Sequence, residues 1–352
     1  MKRVAVACLS LLFLCGSECR AQSVHIRVLS RFHPKQFEVR PEGNIPVLAV
    51  IAGKSFFLQP GASDSTVGIA ADGNALKTVI HGGELPAADL RLSYPSSYAP
   101  FGLAVPGGMS RHYRGMLVVT AHDGELVAEV TMDLEDATAS AVDAEAEPGT
   151  PLEALKAQAI VTRSYYFAAK GRHANDEFCD LTHCQVLRGL PAENSAASRA
   201  TRETEGLVLE YQEKPFAPMF TRSCGGRTRT PAEVGMPANG YPYYSVVCDY
   251  CHTTPYRWSR KLSAADAAIV AEGESGRLAV DRRLGWNAVP SNTFGVRKDG
   301  NEVILEGTGQ GHGIGLCQRG ARAMAELGAS YREILQHYFP NTRLEFYRYP
   351  NP

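Results

Sequence analysis

Three carboxylates, Asp143, Glu145 and Glu147, stand just ahead of a predicted helix, and one of them could serve as a catalytic acid. An acid that protonates a leaving group works best when its pKa lies near the working pH. Keeping Glu145 protonated near neutral pH would require burial or a nearby negative charge, which Asp143 and Glu147 could supply. The simpler interpretation is that the helix dipole stabilises all three groups as anions.

A second set of residues has the chemistry of metal ligands. His173, Cys179 and Cys184 lie close together in the chain, and His183 is a further candidate. Thiolate and imidazole are ligands that Zn²⁺ prefers, and three protein ligands would leave a fourth position for water. A disulfide between Cys179 and Cys184 explains the same residues, and their spacing alone does not decide between the two.

A Cys-x-x-Cys pattern at Cys248 and Cys251 is also open to more than one interpretation. In an exported protein it could be a disulfide, a redox pair, or part of a second metal site with Cys224. A thioredoxin-like pair needs a strand just before it and a helix that opens at the first cysteine. Tyr250 and the segment 253–255 (Thr-Thr-Pro) disfavour that arrangement.

Glycines mark two more segments. Ser223 is followed by Cys224, Gly225 and Gly226, and paired glycines allow a ligand to approach the backbone, although an ordinary turn is the simpler explanation. Further on, glycine occupies every second position from 307 to 315. On a strand this would clear one face for a ligand or another backbone. The spacing matches neither a dinucleotide fingerprint nor a phosphate loop, so we expect no organic cofactor.

The elements that would hold these residues follow from periodicity and capping. Residues 150–171 predict a helix with Thr150 as N-cap, a capping box to Glu153, a buried stripe, and a stop at Gly171. Residues 24–28 and 47–51 predict strands, the second of them buried, and residues 116–132 predict a hairpin about an Asp-Gly turn. We expect an α+β fold, with a β-rich core packed around the central helix and an all-β N-terminal region.

Composition narrows the classes of protein to consider. The chain has 352 residues, a net charge of −1 and 44% hydrophobic residues, which predicts a packed globular protein and gives no support for nucleic-acid binding. A basic start, a short apolar run and a Cys-Arg-Ala end predict a secretory signal over residues 1–21. No second apolar span follows, so we expect an exported, soluble protein, in the periplasm, at the cell wall or secreted. The predicted domains are 22–105, rich in β structure, and 106–352, catalytic.

Several separated blocks between about residues 111 and 344 resemble the SpoIID/LytB family, the sporulation stage II protein D type. Glu145, followed six residues later by Pro-Leu-Glu-Ala-Leu-Lys-Ala-Gln-Ala (151–159), is one block. Ser-Cys-Gly-Gly-Arg-Thr (223–228) resembles the family's Ser-x-Gly-Gly-x-Thr. Gly-His-Gly-Ile-Gly-Leu-Cys-Gln-Arg-Gly-Ala (311–321) resembles its Gly-His-Gly-x-Gly-x-x-Gln-x-Gly-Ala. The chain departs from the usual family residues at Ala137, Ser140, Ala146, Glu147 and Cys317.

The resemblance implies cleavage of cell-wall glycan by lytic transglycosylation, with Glu145 as the single catalytic acid and 1,6-anhydro-muramic ends as products. It also implies a structural zinc ion at His173, Cys179 and Cys184, since the segment 182–185 (Thr-His-Cys-Gln) is similar to zinc-binding members. Peptidoglycan strands are the expected substrate. Substrate-binding residues are expected among Ser223, Gly225, Gly226, His312 and Gln318.

Two other functions remain open at this point. A non-catalytic wall-binding protein that enhances a cell-wall amidase would use the same fold, and a zinc hydrolase would use His173, Cys179 and Cys184. His312 could contact substrate or hydrogen-bond the neighbouring backbone. Gln158 and Arg163, on the central helix, are expected to brace the site.

Overall fold

A computed structural model describes residues 22–93, 99–169, 173, 178–238, 240–300 and 302–347. The predicted signal sequence and Gly171 lie outside these ranges. Within them, no helix combines the length and the apolar character needed to cross a bilayer. The secondary structure confirms the α+β class.

Two antiparallel-rich sheets form the first half of the molecule. One has the strand order β13-β1-β12-β11-β8-β3-β4 and the other β10-β9-β2-β5-β6-β7. Their shared core contains Ile26, Phe37, Val119 and Val130. The strands are β1 (Ser23–Val28), β2 (Gln36–Pro41), β3 (Val47–Ile51), β4 (Lys54–Leu58), β5 (Val67–Asp72), β6 (Ala75–Ile80), β7 (Gly83–Ala87), β8 (Leu90–Ser93), β9 (Pro100–Val105), β10 (Met109–Arg114), β11 (Met116–His122), β12 (Glu125–Asp133) and β13 (Phe178–Cys179).

The predicted hairpin is present, and it joins the N-terminal strands. Strands β11 and β12 pair around Asp123 and Gly124, which both have positive φ, as a type I′ turn requires. Strand β12 also pairs with β1, whose inward residues alternate as predicted. Strand β3 alternates too and is not buried on both faces, contrary to expectation. Strand pairing runs across the boundary expected at residue 105 and extends to Asp133. We call the strands of residues 22–93 and 99–133 the β unit. The division of the chain into domains stays a prediction.

Two helices follow this unit, α1 (Leu134–Glu145) and α2 (Leu152–Ala168). Helix α2 lies between two hydrophobic cores, because Tyr166 packs against the β unit and Ile160 against the C-terminal half. This confirms a central helix, although it is buried around most of its circumference. The predicted capping box is wrong: Thr150 Oγ1 donates to the Glu147 carbonyl, and Glu153 instead binds Lys156 and the Tyr331 N–H.

The C-terminal half is built from short elements on the other side of α2. Ser263 caps the helix that begins at Ala264, and Ser330 caps the helix that begins at Tyr331 through a full capping box. These elements are α3 (Ala196–Glu203), β14 (Leu207–Tyr211), β15 (Lys214–Pro215), β16 (Phe220–Thr221), α4 (Asp249–Thr253), β17 (Arg257–Ser263), α5 (Ala264–Val270), α6 (Glu274–Leu284), β18 (Phe294–Asp299), β19 (Glu302–Thr308), β20 (Leu316–Cys317), α7 (Gln318–Glu326), α8 (Tyr331–Tyr338) and β21 (Arg343–Phe346).

One part of this half is an insertion with a core of its own. Strands β17, β19 and β18 form a three-stranded sheet that packs with α5 and α6 around Trp258, Val280 and Leu305. The residues that flank this part of the chain lie next to each other, because the Gly309 N–H donates to the Tyr256 carbonyl at 2.8 Å. We call residues 257–308 the insertion.

The alternating glycines do not form the strand that their spacing suggested. After β19 the backbone has positive φ at Gly309, Gly311, Gly313 and Gly315, which is a loop conformation. A Cβ at Gly309 would lie 2.7 Å from the Ser223 carbonyl oxygen. These glycines therefore allow two stretches of backbone to approach each other. We call residues 309–317 the glycine loop.

Candidate active site

A cleft of about 510 Å³ runs between the β unit, the insertion and the glycine loop. Glu145, His312 and Gln318, three of the residues expected from the sequence, line it together. Arg111, from strand β10, and Trp286, from the insertion, lie on its walls. Residues separated widely in the chain therefore meet in one concave surface of a size suited to a ligand.

Glu145 is the last residue of α1, a helix that the sequence analysis did not predict. Its carboxylate Oε1 accepts the backbone N–H of Val186 at 3.2 Å. Its own carbonyl oxygen accepts Arg222 Nη1 at 3.2 Å and Gln318 Nε2 at 3.4 Å. Three separate segments thus fix the position of this residue.

Burial raises the pKa of Glu145, while the Val186 N–H and the guanidinium groups of Arg222 and Arg188 act in the opposite direction. The C-terminal end of a helix carries partial negative charge, so its location disfavours the carboxylate and does not stabilise it. This reverses the interpretation based on the dipole of the following helix. The cause of the shift is desolvation, which favours the neutral acid.

The two neighbouring carboxylates do not supply the charge that the sequence suggested. Asp143 is exposed on α1. Glu147 is held by three arginines, with Arg222 Nη2 at 2.8 Å, Arg319 Nε at 3.5 Å and Arg322 Nη1 at 3.7 Å from its carboxylate oxygens. Its charge is therefore largely compensated.

The other carboxylates that line the cleft are also paired with arginine. Asp180 Oδ2 lies 3.2 Å from Arg111 Nη1. Glu274 and Asp281 both bind Arg277, at 2.7 and 2.8 Å. Among the described residues of the cleft wall, Glu145 is thus the carboxyl group without such an ion pair.

His312 both lines the cleft and bonds the neighbouring backbone. Its Nδ1 accepts the Ile314 N–H at 3.0 Å, and burial lowers its pKa, with a smaller opposing effect from Glu274 and a hydrogen bond to the Phe220 backbone. The lowered pKa favours the neutral imidazole, and main-chain groups of Ile314 and Phe220 orient the ring. The backbone hydrogen bond expected from the sequence is present, and His312 also lies where it could contact a substrate.

Ser223, Gly225 and Gly226 lie behind the cleft and are not among its lining residues. Ser223 exchanges backbone hydrogen bonds with Gln310 at 3.0 and 2.8 Å. A Cβ at Gly225 would lie 2.8 Å from Thr308 Oγ1. Their contacts are with other protein segments, and their role in substrate binding stays a prediction.

The expected metal ligands converge beside the cleft. Ligand atoms of His173, Cys179, His183 and Cys184 all lie within 4.8 Å of one another, with His173 Nε2 at 3.3 Å from Cys184 Sγ. His183, the additional candidate, belongs to the group, since its Nδ1 is 3.6 Å from Cys184 Sγ. The donor set suits a single metal ion with four protein ligands. We call these four residues the His/Cys cluster.

The loop that carries this cluster also reaches Glu145. Thr182, Cys184 and Gln185 line the cleft, and the next residue, Val186, donates to the Glu145 carboxylate. A metal ion at the His/Cys cluster would therefore hold the hydrogen-bond donor of the candidate acid in place.

Arg163, on the central helix, binds helix α1, which ends at Glu145. It is fully buried and forms a two-pronged ion pair with Glu135 of helix α1, with Nε to Oε1 at 2.7 Å and Nη2 to Oε2 at 2.6 Å. Gln158 is also buried and donates to Thr162 Oγ1 at 3.3 Å. Neither side chain lines the main cleft.

Two functional contacts were missed from the sequence, those of Arg222 and Val186. Arg222 directly precedes the Ser-x-Gly-Gly segment, so its place beside a recognisable pattern was the available signal. Val186 contacts Glu145 through its backbone N–H, and a backbone contact of this kind cannot be predicted from residue types.

Sequence comparison finds relatives for the part of the chain that holds Glu145. The profile of the stage II sporulation protein (SpoIID) family matches residues 122–211, which contain Glu145, the central helix and the His/Cys cluster. This match confirms the resemblance to the SpoIID family over that segment of the chain. An uncharacterised protein of Brachyspira hyodysenteriae is 28% identical over 261 residues, covering 64% of this chain and 70% of that protein.

Two SpoIID relatives carry descriptive names. The amidase enhancer of Bacillus subtilis is 25% identical over 277 residues, which cover 56% of this chain and 38% of the relative. Stage II sporulation protein D of Bacillus amyloliquefaciens is 23% identical over 241 residues, covering 53% and 67%. This chain thus spans well under half of the amidase enhancer.

Departures from the usual SpoIID residues are accommodated by the structure. Ser140 Oγ donates to the Gly189 carbonyl at 2.6 Å, and Ala137 is fully buried. Glu147 forms the three arginine pairs described above. Cys317 lies in a second group of cysteines.

Proposed function

We propose that this protein cleaves the glycan strands of peptidoglycan by lytic transglycosylation, with Glu145 as the single acid and base. The observation that carries the proposal is a carboxyl group with a raised pKa in a cleft whose other described carboxylates are paired with arginine. Ordinary glycosidases use two carboxylates. A transglycosylase needs one, because a hydroxyl of the sugar attacks and no water is activated.

The reaction then balances around one proton. Protonated Glu145 gives its proton to the glycosidic oxygen as the bond from that oxygen to the anomeric carbon breaks. The resulting carboxylate takes a proton from the 6-hydroxyl of the muramic residue, whose oxygen bonds to the anomeric carbon. The product carries a 1,6-anhydro end, and Glu145 is protonated again.

The surrounding groups have separate tasks in this scheme. The Val186 N–H and the guanidinium group of Arg222 stabilise the carboxylate that forms after proton transfer. Neutral His312, oriented by the backbone, and Gln318 are suited to hydrogen bonds with sugar hydroxyls, and Gln318 also fixes the Glu145 carbonyl. Arg31 and Arg188 line the cleft and suit a substrate that carries carboxylates.

The metal that we assign to the His/Cys cluster is Zn²⁺ in a structural role. Two thiolates and two imidazoles would complete a tetrahedral site and leave no position for water. This favours a loop-holding ion over the zinc hydrolase considered from the sequence.

A second function is favoured by one observation, the similarity to the amidase enhancer. In that case the same cleft would bind glycan without cleaving it, and a cell-wall amidase would be the partner. Both functions place the protein outside the cytoplasm, at or near the wall, in keeping with the predicted signal sequence.

The test compares the chain from Gln22 with its Glu145→Gln variant. Each is incubated with intact peptidoglycan and with glycan strands stripped of peptide, and the products are identified by mass spectrometry. Asp143→Asn is the matched control, because it makes the same chemical change on the exposed face of the same helix.

Anhydro-ended sugars from the parent and from Asp143→Asn, and none from Glu145→Gln, are the expected result. Reducing ends instead would indicate a hydrolase at the same residue. No products from any form, with glycan binding retained, would replace the proposal with the amidase-enhancer function.

A further inference from the structure

Four cysteines away from the cleft form a second compact group. Cys224 follows strand β16, Cys248 and Cys251 flank the start of helix α4, and Cys317 ends strand β20. Their sulfur atoms all lie within 4.8 Å of one another, and Cys251 Sγ is 3.5 Å from Cys317 Sγ. Each of the four residues is at most 2% exposed. We call them the four-cysteine cluster.

The separation of the sulfurs fits one ion at their centre. In a tetrahedral zinc site with Zn–S bonds of about 2.3 Å, neighbouring sulfurs lie about 3.8 Å apart. The Cys251 and Cys317 sulfurs, 3.5 Å apart, lie close to that separation, and none of the four cysteines forms a disulfide. A cluster of several irons would need sulfurs further apart, because irons and bridging sulfides would fill the space between them.

Hydrogen bonds around the four-cysteine cluster favour thiolates. Cys317 Sγ accepts the Cys224 N–H at 3.4 Å and the Gly320 N–H at 3.5 Å, and so caps helix α7. Ser223 Oγ lies 3.4 Å from Cys251 Sγ, and Tyr338 Oη lies 3.4 Å from Cys248 Sγ. Donors of this kind, together with the N-terminus of a helix, stabilise negative sulfur.

The packing also depends on close approach to the sulfurs. A Cβ at Gly320 would lie 2.5 Å from Cys248 Sγ, so a side chain at this position would displace that sulfur. The first turn of α7 therefore lies directly against the four-cysteine cluster. The four sulfurs therefore converge on one point and are tightly packed, unlike isolated thiols in a hydrophobic core.

We propose that Cys224, Cys248, Cys251 and Cys317 bind one Zn²⁺ ion as four thiolates in a closed structural site. Binding releases the thiol protons to solvent and transfers no electrons. The thioredoxin-like interpretation of the Cys-x-x-Cys pattern does not apply: a helix does begin after Cys248, but it has five residues, and no strand of the described chain directly precedes it.

The site has a consequence for the cleft. Cys224 is two residues after Arg222, and Cys317 is directly before Gln318. Both of those side chains donate to the Glu145 carbonyl. The ion would therefore tie together the two segments that position Glu145. The binding of this ion does not rest on the proposed catalytic function.

The test measures bound metal in the chain from Gln22, exported into an oxidising compartment, by inductively coupled plasma mass spectrometry. The informative form is the Cys179→Ser/Cys184→Ser double variant, which removes the thiolates of the His/Cys cluster. We expect it to retain one zinc per chain. Adding Cys317→Ser should abolish that zinc.

A second measurement does not depend on the folding of a cage variant. The double variant is refolded with Co²⁺ and titrated with a mercurial reagent, and the absorption of tetrahedral cobalt thiolate should disappear as four thiols react. Overturning results would be a double variant without metal whose intact mass shows two disulfides, or one that holds iron in place of zinc.

Discussion

The buried ion pair between Arg163 and Glu135 should be among the costliest side-chain contacts to break. We consider Arg163→Met, which keeps most of the apolar stem and removes the charge. Arg163 is fully buried and the Glu135 side chain is 25% exposed. Arg163 also donates to the carbonyls of Leu207 and Thr201 at 3.1 and 3.2 Å.

The magnitude follows from what remains after the change. An unpaired buried carboxylate costs about 3 kcal/mol, the lower end of the usual range, because water reaches Glu135. Two carbonyls that lose a donor add about 1 kcal/mol. We expect the free energy of unfolding to fall by about 4 kcal/mol and the melting temperature by about 6 °C.

The assay is urea unfolding followed by circular dichroism, supported by a thermal scan. Arg199→Met is the matched control, since Arg199 pairs with Glu203 on an exposed helix face with 62% of its side chain accessible. It should cost less than about 0.5 kcal/mol. Adding Glu135→Leu to Arg163→Met should recover part of the loss, because no charge is then left unpaired. Equal stability of the Arg163 and Arg199 variants would refute the reasoning.

Three further outcomes are expected. Glu145→Gln should lower glycan cleavage about 10²- to 10⁴-fold. It should also raise stability above neutral pH, because a carboxyl whose pKa is raised on folding loses its stabilising contribution as the pH rises through that pKa; unfolding at several pH values should show the difference vanish below the ordinary pKa of about 4.3. Trp286→Ala should weaken glycan binding about tenfold, or about 1.4 kcal/mol, since this cleft residue is 47% exposed, whereas Leu284→Ala, outside the cleft, should not; calorimetry checks both. Cys184→Ser should lower the metal content and, through the Val186 N–H, reduce kcat more than KM; equal kinetics with depleted metal would contradict this.

The central helix was predictable because its pattern is local. The helical spacing is carried by Leu152, Leu155, Ala159, Thr162 and Tyr166; the last four are buried and Leu152 is half-buried. Helix α1 was missed, although Asp133 accepts the Glu135 N–H as its N-cap. No glycine or proline at its last residues marks where the helix ends. The acidic residues Asp143, Glu145 and Glu147 also give this segment a composition typical of a loop.

Site residues could be predicted from the sequence only where residue type and local spacing determine which groups come together. The His/Cys cluster lies within one short segment, so the convergence of its side chains could be predicted from the sequence, while their binding of a metal stays a proposal. Gly225 permits close backbone approach, but whether a ligand or Thr308 approaches depends on a strand more than 80 residues away. The same holds for Cys317, whose sulfur meets the Cys224 N–H across 93 residues.

The insertion forms one wall of the cleft but does not contain Glu145, the candidate acid. Its two ends meet at Tyr256 and Gly309, and it has a core of its own, so it can be lengthened, shortened or replaced without redirecting the chain on either side. It brings Trp286 and the Arg277 ion pairs to the cleft, while Glu145 and its hydrogen-bond donors belong to the rest of the molecule. Selection for a different glycan could therefore act on one exchangeable module and leave the reacting group untouched.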